Sequence, residues 1–361
     1  MKIALLIDSL GSGGAQRQMI NLATELSTKG HEVSLIRYYK DDFYLYLLNK
    51  SQVNLVDVES SNAIQRIIRV RKTIRKMCPD ALISFMDTPN LLAALSSIGK
   101  HSWKLIISDR IANESRFLGK KTKLIRYIQA KYADVIACNS QSAANLWKKY
   151  FPKTENKLCT IYNIIEVPNI DATPREDGKC RLVIAARYER EKNLWGVLTA
   201  VDLLSEEEKS KLEIHWYGKS NVVGAEGSGL SRGEEFIKQN NLENCVFLHP
   251  ATDQIYPIMA KADYISLFSF MEGFPNAIIE GMTLKKPIVM SRVSDYAVLV
   301  DEKNGFLCDP HSPEDIANAL RQAINTTSEQ RAEMGERSYE KIKEICSRDR
   351  VVAQWENMIN R

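Results

Sequence analysis

Several features that would define a function class are missing from this chain of 361 residues. Its seven cysteines are scattered and none forms a Cys-x-x-Cys pair, which argues against a zinc site and suits a reduced cytoplasm. No Asp-x-Asp pair occurs, so a divalent-metal diphosphate site of that kind is absent. The apolar runs are only as long as a strand, whereas a membrane-spanning helix needs about 20 residues. We therefore expect a protein that needs no metal and no cofactor.

Charge is unevenly distributed, although the net charge is only +4. Residues 1–170 contain 25 Lys and Arg against 14 Asp and Glu, and the remaining residues contain 24 against 31. Much of the positive excess lies in residues 64–77 and 116–132, two helical patterns with an apolar stripe and a basic face. One such pattern is usually a solvated helix face. Two in one half favour contact with an anionic membrane surface or a polyanion.

The order of elements predicts an α/β protein with two domains. Short apolar runs at 3–7, 81–85 and 104–108 alternate with helical patterns, which is typical of a parallel sheet covered on both faces. A stretch rich in Pro, Asp and Gly at 163–180 interrupts the alternation and indicates a linker. The alternation then restarts. We predict two doubly wound domains, whose ligands bind beyond the carboxyl ends of the strands.

A glycine-rich turn, "SLGSGGAQ", follows the first predicted strand and precedes the first helix. Gly13 and Gly14 would let backbone N–H groups at the helix start approach an anion. The same turn is also a common steric requirement between a strand and a helix. Its spacing does not match the dinucleotide fingerprint, and the second strand ends in Arg37 and Tyr38 instead of an acidic residue.

The loop "ARYEREKN" places Arg187 and Lys192 directly after the first strand of the second half. A guanidinium can bind two phosphate oxygens at once, and an ammonium adds a point charge. An Arg–Lys pair is most often solvated surface charge. The position after a strand and before a helix favours phosphate binding here.

The segment "EGFPNAIIEG" contains two glutamates, Glu272 and Glu280, eight positions apart. Pro275 suits the first turn of a helix, so Glu272 would lie in a loop and Glu280 inside that helix. Carboxylates accept hydrogen bonds from hydroxyl groups. In this context the pair is a candidate clamp for a polyhydroxylated ligand.

Two further strand ends carry charge, at Asp87 and at Asp109-Arg110. Parallel strands would point both loops to the same edge of the sheet. An N-cap or a local ion pair is an equally good explanation for each carboxylate.

Together these segments resemble the retaining GT-B glycosyltransferases of glycosyltransferase family 4, most of all the bacterial members that assemble O-antigen, capsule or lipid-linked oligosaccharides. The most specific match is "EGFPNAIIEGMTLKKPIVMS". The resemblance implies two Rossmann-like domains facing each other across a cleft. Residues 1–168 would form the acceptor-side domain and residues 169–340 the nucleotide-sugar domain, with a helix at 341–361 packing back toward the first.

The resemblance also implies individual roles. Gly13, Gly14, Arg187 and Lys192 would bind the donor diphosphate, and Arg187 and Lys192 would stabilise it as it leaves. Glu272 would bind the transferred sugar. The other implied contacts are the backbone of Gly273, Phe274, Pro275 and Asn276 for the sugar or phosphate, and Glu280 for the ribose.

In the loop after the predicted strand at 104–108, many relatives have a histidine where this chain has Asp109-Arg110. An arginine stays protonated and cannot act as a general base. The resemblance implies that a donor phosphate oxygen takes the acceptor proton. Asp87 or Asp109 is a candidate for orienting the acceptor, and Arg110 is a candidate substrate-binding residue.

The implied reaction moves a hexose or N-acetylhexosamine from a nucleoside diphosphate sugar, most commonly a UDP-sugar, to a lipid-linked glycan. Its implied place is the cytoplasm, peripherally on the inner face of the cell membrane, with no nucleic-acid partner. Two alternatives stay open at this point: a sugar-nucleotide epimerase on the same scaffold, and a non-catalytic subunit that binds nucleotide-sugars.

Overall fold

The computed structural model describes residues 1–49, 51–165, 170, 177–219 and 229–360. The chain divides into two compact units. The N-terminal unit comprises Met1–Ile164 and the C-terminal segment from Arg348, and the C-terminal unit comprises Ile165–Ser347. The predicted boundary at residues 168 and 169, and most of the predicted linker, lie outside the described residues.

Within the described part of the N-terminal unit, seven parallel strands form one sheet in the order β3-β2-β1-β4-β5-β6-β7. The strands are β1 (Lys2–Leu6), β2 (Glu32–Arg37), β3 (Asn54–Asp57), β4 (Ala81–Phe85), β5 (Lys104–Asp109), β6 (Val135–Cys138) and β7 (Leu158–Thr160). The central strands β1, β4 and β5 are buried along nearly their whole length because helices cover both faces of the sheet.

Helices connect these strands in the sense expected of a doubly wound fold. They are α1 (Gly14–Thr28), α2 (Ala63–Met77), α3 (Asp87–Ser96), α4 (Ser115–Leu118), α5 (Lys120–Tyr132) and α6 (Gln141–Tyr150). Helix α1 packs on one face of the sheet, and α2, α3, α5 and α6 pack on the other. Gly30 follows α1 with a φ of +86°, the left-handed conformation in which helices commonly end.

The described part of the C-terminal unit contains a second parallel sheet, in the order β10-β9-β8-β11-β12-β13. Its strands are β8 (Cys180–Ala185), β9 (Leu212–Gly218), β10 (Val246–Pro250), β11 (Tyr264–Leu267), β12 (Ile288–Ser291) and β13 (Gly305–Cys308). Its helices are α7 (Leu194–Asp202), α8 (Glu206–Ser210), α9 (Gly229–Gln239), α10 (Ile255–Ala260), α11 (Asn276–Thr283), α12 (Tyr296–Leu299), α13 (Pro313–Asn325) and α14 (Ser328–Cys346). The prediction of two parallel, doubly wound α/β domains is confirmed.

The helix predicted at 341–361 is instead the end of α14 followed by a separate helix, because the chain leaves helical geometry at Ser347. The second helix, α15 (Arg348–Asn360), packs beside α1 in the N-terminal unit through Val351, Val352 and Trp355. Similarly, Gly119 is extended and divides the predicted helix at 116–132 into α4 and α5. Strands β3 and β7 were not predicted.

None of the described helices combines the length and the apolar character needed to cross a lipid bilayer.

Candidate active site

Each sheet has a point where the order of its strands reverses. In the C-terminal unit this point lies between β8 and β11, and in the N-terminal unit between β1 and β4. Open α/β sheets bind ligands outside the carboxyl ends of the strands at such a point. The segments that carry the predicted site residues follow these strands, together with the neighbouring strand β5.

The loops after β8 and β11 are joined by an ion pair between Lys192 and Glu272. The Lys192 Nζ atom lies 2.5 Å from Glu272 Oε1, and the two side chains are 19% and 12% exposed. A backbone hydrogen bond from Phe270 N to Glu191 O, 2.8 Å long, connects the same loops. Opposite charges removed from water in this way attract more strongly than on an open surface. The structure therefore brings together two residues 80 positions apart in the sequence.

Asn193 fixes the position of Lys192. It has a φ of +63°, which asparagine tolerates better than most residues. Its side chain accepts a hydrogen bond from Gly196 N at the start of α7 and donates one to Pro310 O. Lys192 is the last residue of a short 3₁₀ turn, and Asn193, the next residue, anchors the end of that turn.

Arg187 lies in the same loop but is more open to solvent. Its side chain is 56% exposed and forms a 3.0 Å ion pair with Glu189. The backbone beside it is crowded, since a Cβ added at Gly218 would lie 2.1 Å from Ala186 O. Only glycine fits there, a requirement that sequence reasoning did not assign to Gly218.

The segment from Glu272 to Asn276 is held by the neighbouring strand β12 and the loop that follows it. Ser294 Oγ donates a hydrogen bond to Gly273 O, and Ser291 Oγ donates one to Ser269 O. Phe274 is buried, which anchors the loop in the core. Because of these contacts, the backbone entering α11 is fixed by the protein itself.

Glu280 is half-buried on α11, one turn beyond the start of the helix. Pro275 is the residue that precedes the helix, with extended backbone angles. Asn276 is the first helical residue, so its N–H lies at the N-terminal end of the helix, where the helix dipole is positive. Glu272 therefore belongs to the loop and Glu280 to the helix, as the sequence indicated.

In the N-terminal unit, Gly13 and Gly14 form the start of α1. A Cβ at Gly13 would lie 2.1 Å from Gln16 Oε1, so the Gln16 side chain fills the space that glycine leaves open. Gln16 Nε2 in turn donates a 3.0 Å hydrogen bond to Asp8 Oδ1 at the end of β1. The glycine turn is thus tied to the strand end, and Gly14 is exposed.

Asp87 and Asp109 are both bound by Arg126, a buried residue of α5. The Arg126 guanidinium lies 3.0 Å from Asp87 Oδ1 and 2.8 Å from Asp109 Oδ2. Trp147 Nε1 also donates to Asp109, which is only 3% exposed. This geometry favours a structural role for Asp109, the local ion pair that sequence reasoning had left open. Arg116 forms a further, half-exposed ion pair with Asp87.

Arg110, the residue after β5, lies between the ring of Phe85 and the side-chain amide of Asn163. Its guanidinium carbon is 4.5 Å from the centroid of Phe85, and Nη2 donates a 2.5 Å hydrogen bond to Asn163 Oδ1. Burial lowers the pKa of Arg110 to about 9, so it remains protonated at neutral pH. Sequence reasoning had not identified Arg126, Trp147 or Asn163.

No cluster of three or more His, Cys, Asp or Glu with the geometry to hold a metal ion occurs among the described residues.

Comparison with known proteins identifies the family. Residues 12–167 match the family model "Glycosyltransferase Family 4", and residues 168–341 match "Glycosyl transferases group 1". The chain belongs to the GT-B glycosyltransferases of the family 4 type. The two matches meet between residues 167 and 168.

Similar proteins cover nearly the whole chain. One is the GalNAc-α-(1→4)-GalNAc-α-(1→3)-diNAcBac-PP-undecaprenol α-1,4-N-acetyl-D-galactosaminyltransferase of Campylobacter jejuni, 24% identical over 90% of this chain and 89% of that protein. A second from the same organism, N-acetylgalactosamine-N,N′-diacetylbacillosaminyl-diphospho-undecaprenol 4-α-N-acetylgalactosaminyltransferase, is 25% identical over 91% of this chain and 90% of its own.

A solved structure shares the fold. Anabaena Alr3699/HepE, crystallised with UDP and glucose, superposes with a TM-score of 0.85 over 100% of this chain and 99% of that chain, at 16% identity.

The buried arginine generates a stability prediction. Arg126→Met should lower the free energy of unfolding by about 3–5 kcal/mol, because it leaves Asp109 buried without its cation. Arg116→Met, which removes a half-exposed partner of the same Asp87, should cost less than about 1 kcal/mol. Urea unfolding of both variants measures the difference. Equal losses would contradict the structural role assigned to Arg126.

Proposed function

We propose that the protein is a retaining, metal-independent glycosyltransferase. It transfers a hexose or N-acetylhexosamine from a nucleoside diphosphate sugar, preferentially a UDP-sugar, to a hydroxyl of a lipid-linked glycan. The observation that carries this proposal is the Lys192–Glu272 ion pair beyond the switch point of the C-terminal sheet. A cation for a diphosphate and a carboxylate for sugar hydroxyls lie in contact there, which is the combination a nucleotide-sugar requires.

The proposed donor contacts are those that the family resemblance implies for these residues. Lys192 and Arg187 bind the diphosphate, the first from a fixed and partly buried position and the second from a more exposed one. Glu272 accepts hydrogen bonds from the transferred sugar. Glu280, farther along α11, binds the ribose hydroxyls. The backbone of Gly273, Phe274, Pro275 and Asn276 contacts the sugar or phosphate. The family resemblance also assigns Gly13 and Gly14, at the start of α1 in the N-terminal unit, to the diphosphate.

The reaction breaks the bond between the sugar anomeric carbon and the diphosphate oxygen. A bond from the acceptor oxygen to the same carbon forms on the same face of the sugar, and the acceptor proton passes to a donor phosphate oxygen. The negative charge that develops on the leaving diphosphate is stabilised by Lys192 and Arg187. Fixed positive groups of this kind are usually the largest catalytic contribution. No protein base is needed, which agrees with a protonated Arg110 at the end of β5.

The acceptor assignment is supported by two observations. The Campylobacter relatives are named for undecaprenol-diphosphate-linked acceptors. Residues 1–170 carry an excess of positive charge, which would favour a diphosphate-linked lipid and anionic headgroups. We therefore propose that the N-terminal unit receives the acceptor, with Asp87 and Arg110 orienting it, and that the protein is cytoplasmic and associates peripherally with the inner face of the cell membrane.

Turnover should depend on the two cations. Replacing Arg187 or Lys192 with Ala should lower kcat by roughly 10²–10³-fold, the usual effect of removing one group that stabilises transition-state charge. Arg190→Ala is the matched control, since Arg190 is exposed in the same turn and has no proposed role. The measurement is release of UDP in the presence of acceptor. Near-normal turnover in both the Arg187 and Lys192 variants would refute the assigned roles.

Product analysis tests the reaction class. Proton NMR of the product should show the same anomeric configuration at the transferred sugar as in the donor. Incubation of the enzyme with donor alone should leave the sugar stereochemistry unchanged. An inverted product would contradict the retaining mechanism, whereas an epimerised donor would identify the protein as an epimerase.

A further inference from the structure

Helix α5 exposes two large apolar side chains on a surface rich in lysine. Leu124 is 61% exposed and Tyr127 is 56% exposed. Lys120 and Lys131 continue the same stripe, since the spacings from 120 to 124, 127 and 131 are those of one helix face. Contiguous exposed apolar side chains rimmed by polar residues are a feature of interaction surfaces.

The lysines on this helix are not neutralised by the protein. Among the described residues, no carboxylate forms an ion pair with Lys120, Lys121, Lys123 or Lys131, and α5 itself contains no acidic residue. On α6, by contrast, Lys148 pairs with Glu155 and Lys149 with Glu114. The positive charge of α5 is therefore available to an external anion.

Acidic residues next to the helix are already engaged. Glu114, before α4, is bound by Lys149 and by the Tyr150 hydroxyl. Asp134, after α5, accepts a hydrogen bond from Leu105 N. Glu114 is therefore neutralised within the protein, and the four lysines of α5 outnumber the carboxylate of Asp134.

Helix α4 extends the apolar part of the surface. Leu118, its last residue, is 62% exposed and directly precedes Gly119, the N-cap residue of α5. The opposite side of α5 is buried through Arg126, Gln129 and Ala130. Because Arg126 holds two carboxylates of the unit, the helix is fixed with its apolar and lysine residues outward.

A second helix on the same face of the sheet also exposes apolar and cationic side chains. Helix α2 exposes Ile64 and Ile68, followed at helical spacing by Lys72 and Lys76. Both α2 and α5 pack against α3, on the same face of the sheet. Two helices of one layer thus present apolar and cationic side chains together.

We propose that the outward face of α4 and α5 docks on an anionic lipid bilayer. Leu118, Leu124 and Tyr127 enter the interface between headgroups and acyl chains, and the four lysines bind the headgroups. This inference rests on the proposed function in one respect, because a lipid-linked acceptor resides in such a bilayer. Amphipathic surfaces bind membranes through the sum of buried apolar area and attraction to anionic lipid.

The exposed apolar residues favour a lipid bilayer over a nucleic acid as the partner of this surface. A nucleic-acid surface would use the lysines but would leave Leu118 and Leu124 in water. A bilayer uses both, and tyrosine is enriched at the level of the headgroups. The test therefore changes the apolar and the cationic residues separately.

Vesicle co-sedimentation of the full chain, without donor or acceptor, provides the test. Vesicles of equimolar phosphatidylglycerol and phosphatidylcholine are compared with vesicles of phosphatidylcholine alone. The apolar variant is Leu124→Ser with Tyr127→Ser. Its matched control is Tyr46→Ser with Leu203→Ser, which removes one exposed tyrosine and one exposed leucine elsewhere.

The charge variant replaces Lys120, Lys121 and Lys123 with Gln. Its matched control replaces three exposed lysines of the C-terminal unit, Lys238, Lys303 and Lys343, with Gln, so that the net charge changes equally. Thermal unfolding of each variant establishes that it is folded.

The wild-type chain should sediment with the anionic vesicles and much less with neutral ones. The apolar and the charge variants should each partition at least several-fold more weakly, and both controls should bind like the wild type. No binding by the wild type, equal binding to neutral vesicles, or unaltered binding of either variant would overturn the proposal. Transfer to a detergent-solubilised acceptor, assayed in parallel, distinguishes loss of docking from failure of the proposed function.

Discussion

The ion pair between Lys192 and Glu272 is the interaction on which the C-terminal site depends. It connects loops that follow two neighbouring strands, and the hydrogen bond from Phe270 N to Glu191 O supports the same connection. Because both side chains are mostly buried, their mutual orientation is set before a ligand arrives. In the proposed mechanism, a diphosphate that binds Lys192 therefore meets a cation that is already positioned, and Glu272 lies beside it to accept a hydrogen bond from a sugar hydroxyl. Preorganised charge of this kind needs little rearrangement during reaction.

In the N-terminal unit, ion pairs likewise connect residues at the ends of neighbouring strands. One buried guanidinium, that of Arg126, binds carboxylates that follow β4 and end β5. The same helix then presents Leu124 and Tyr127 outward. Helix α5 therefore holds the strand ends in place through Arg126 on its buried side and exposes apolar side chains on its outer side. In both units the positions that matter are strand ends, since a parallel sheet gathers the loops of distant segments at one edge.

Much of this could be predicted from the sequence, for identifiable reasons. Periodicity identified the apolar strands β1, β4 and β5, and the glycine, "EKN" and "EGFPN" segments were correctly expected to follow strands and precede helices. The partners could not be predicted. Arg126 is one of several cations in a basic helix, and only the packing of α5 shows that it points inward. Strand β3 is half-exposed and β7 has three residues, so neither gives a strong apolar signal. The break at Ser347 lies in a continuous helical pattern, with no glycine or proline to mark it.

The most direct test of this account is a thermal-shift measurement of nucleotide binding in the presence of EDTA. A ligand that binds the folded protein raises its unfolding temperature. UDP and UDP-sugars should raise that temperature without added magnesium, more than GDP or ADP do, and Lys192→Met should abolish most of the increase. If magnesium is required, or if the Lys192 variant responds like the wild type, the partly buried cation is not the diphosphate-binding group and the account is contradicted.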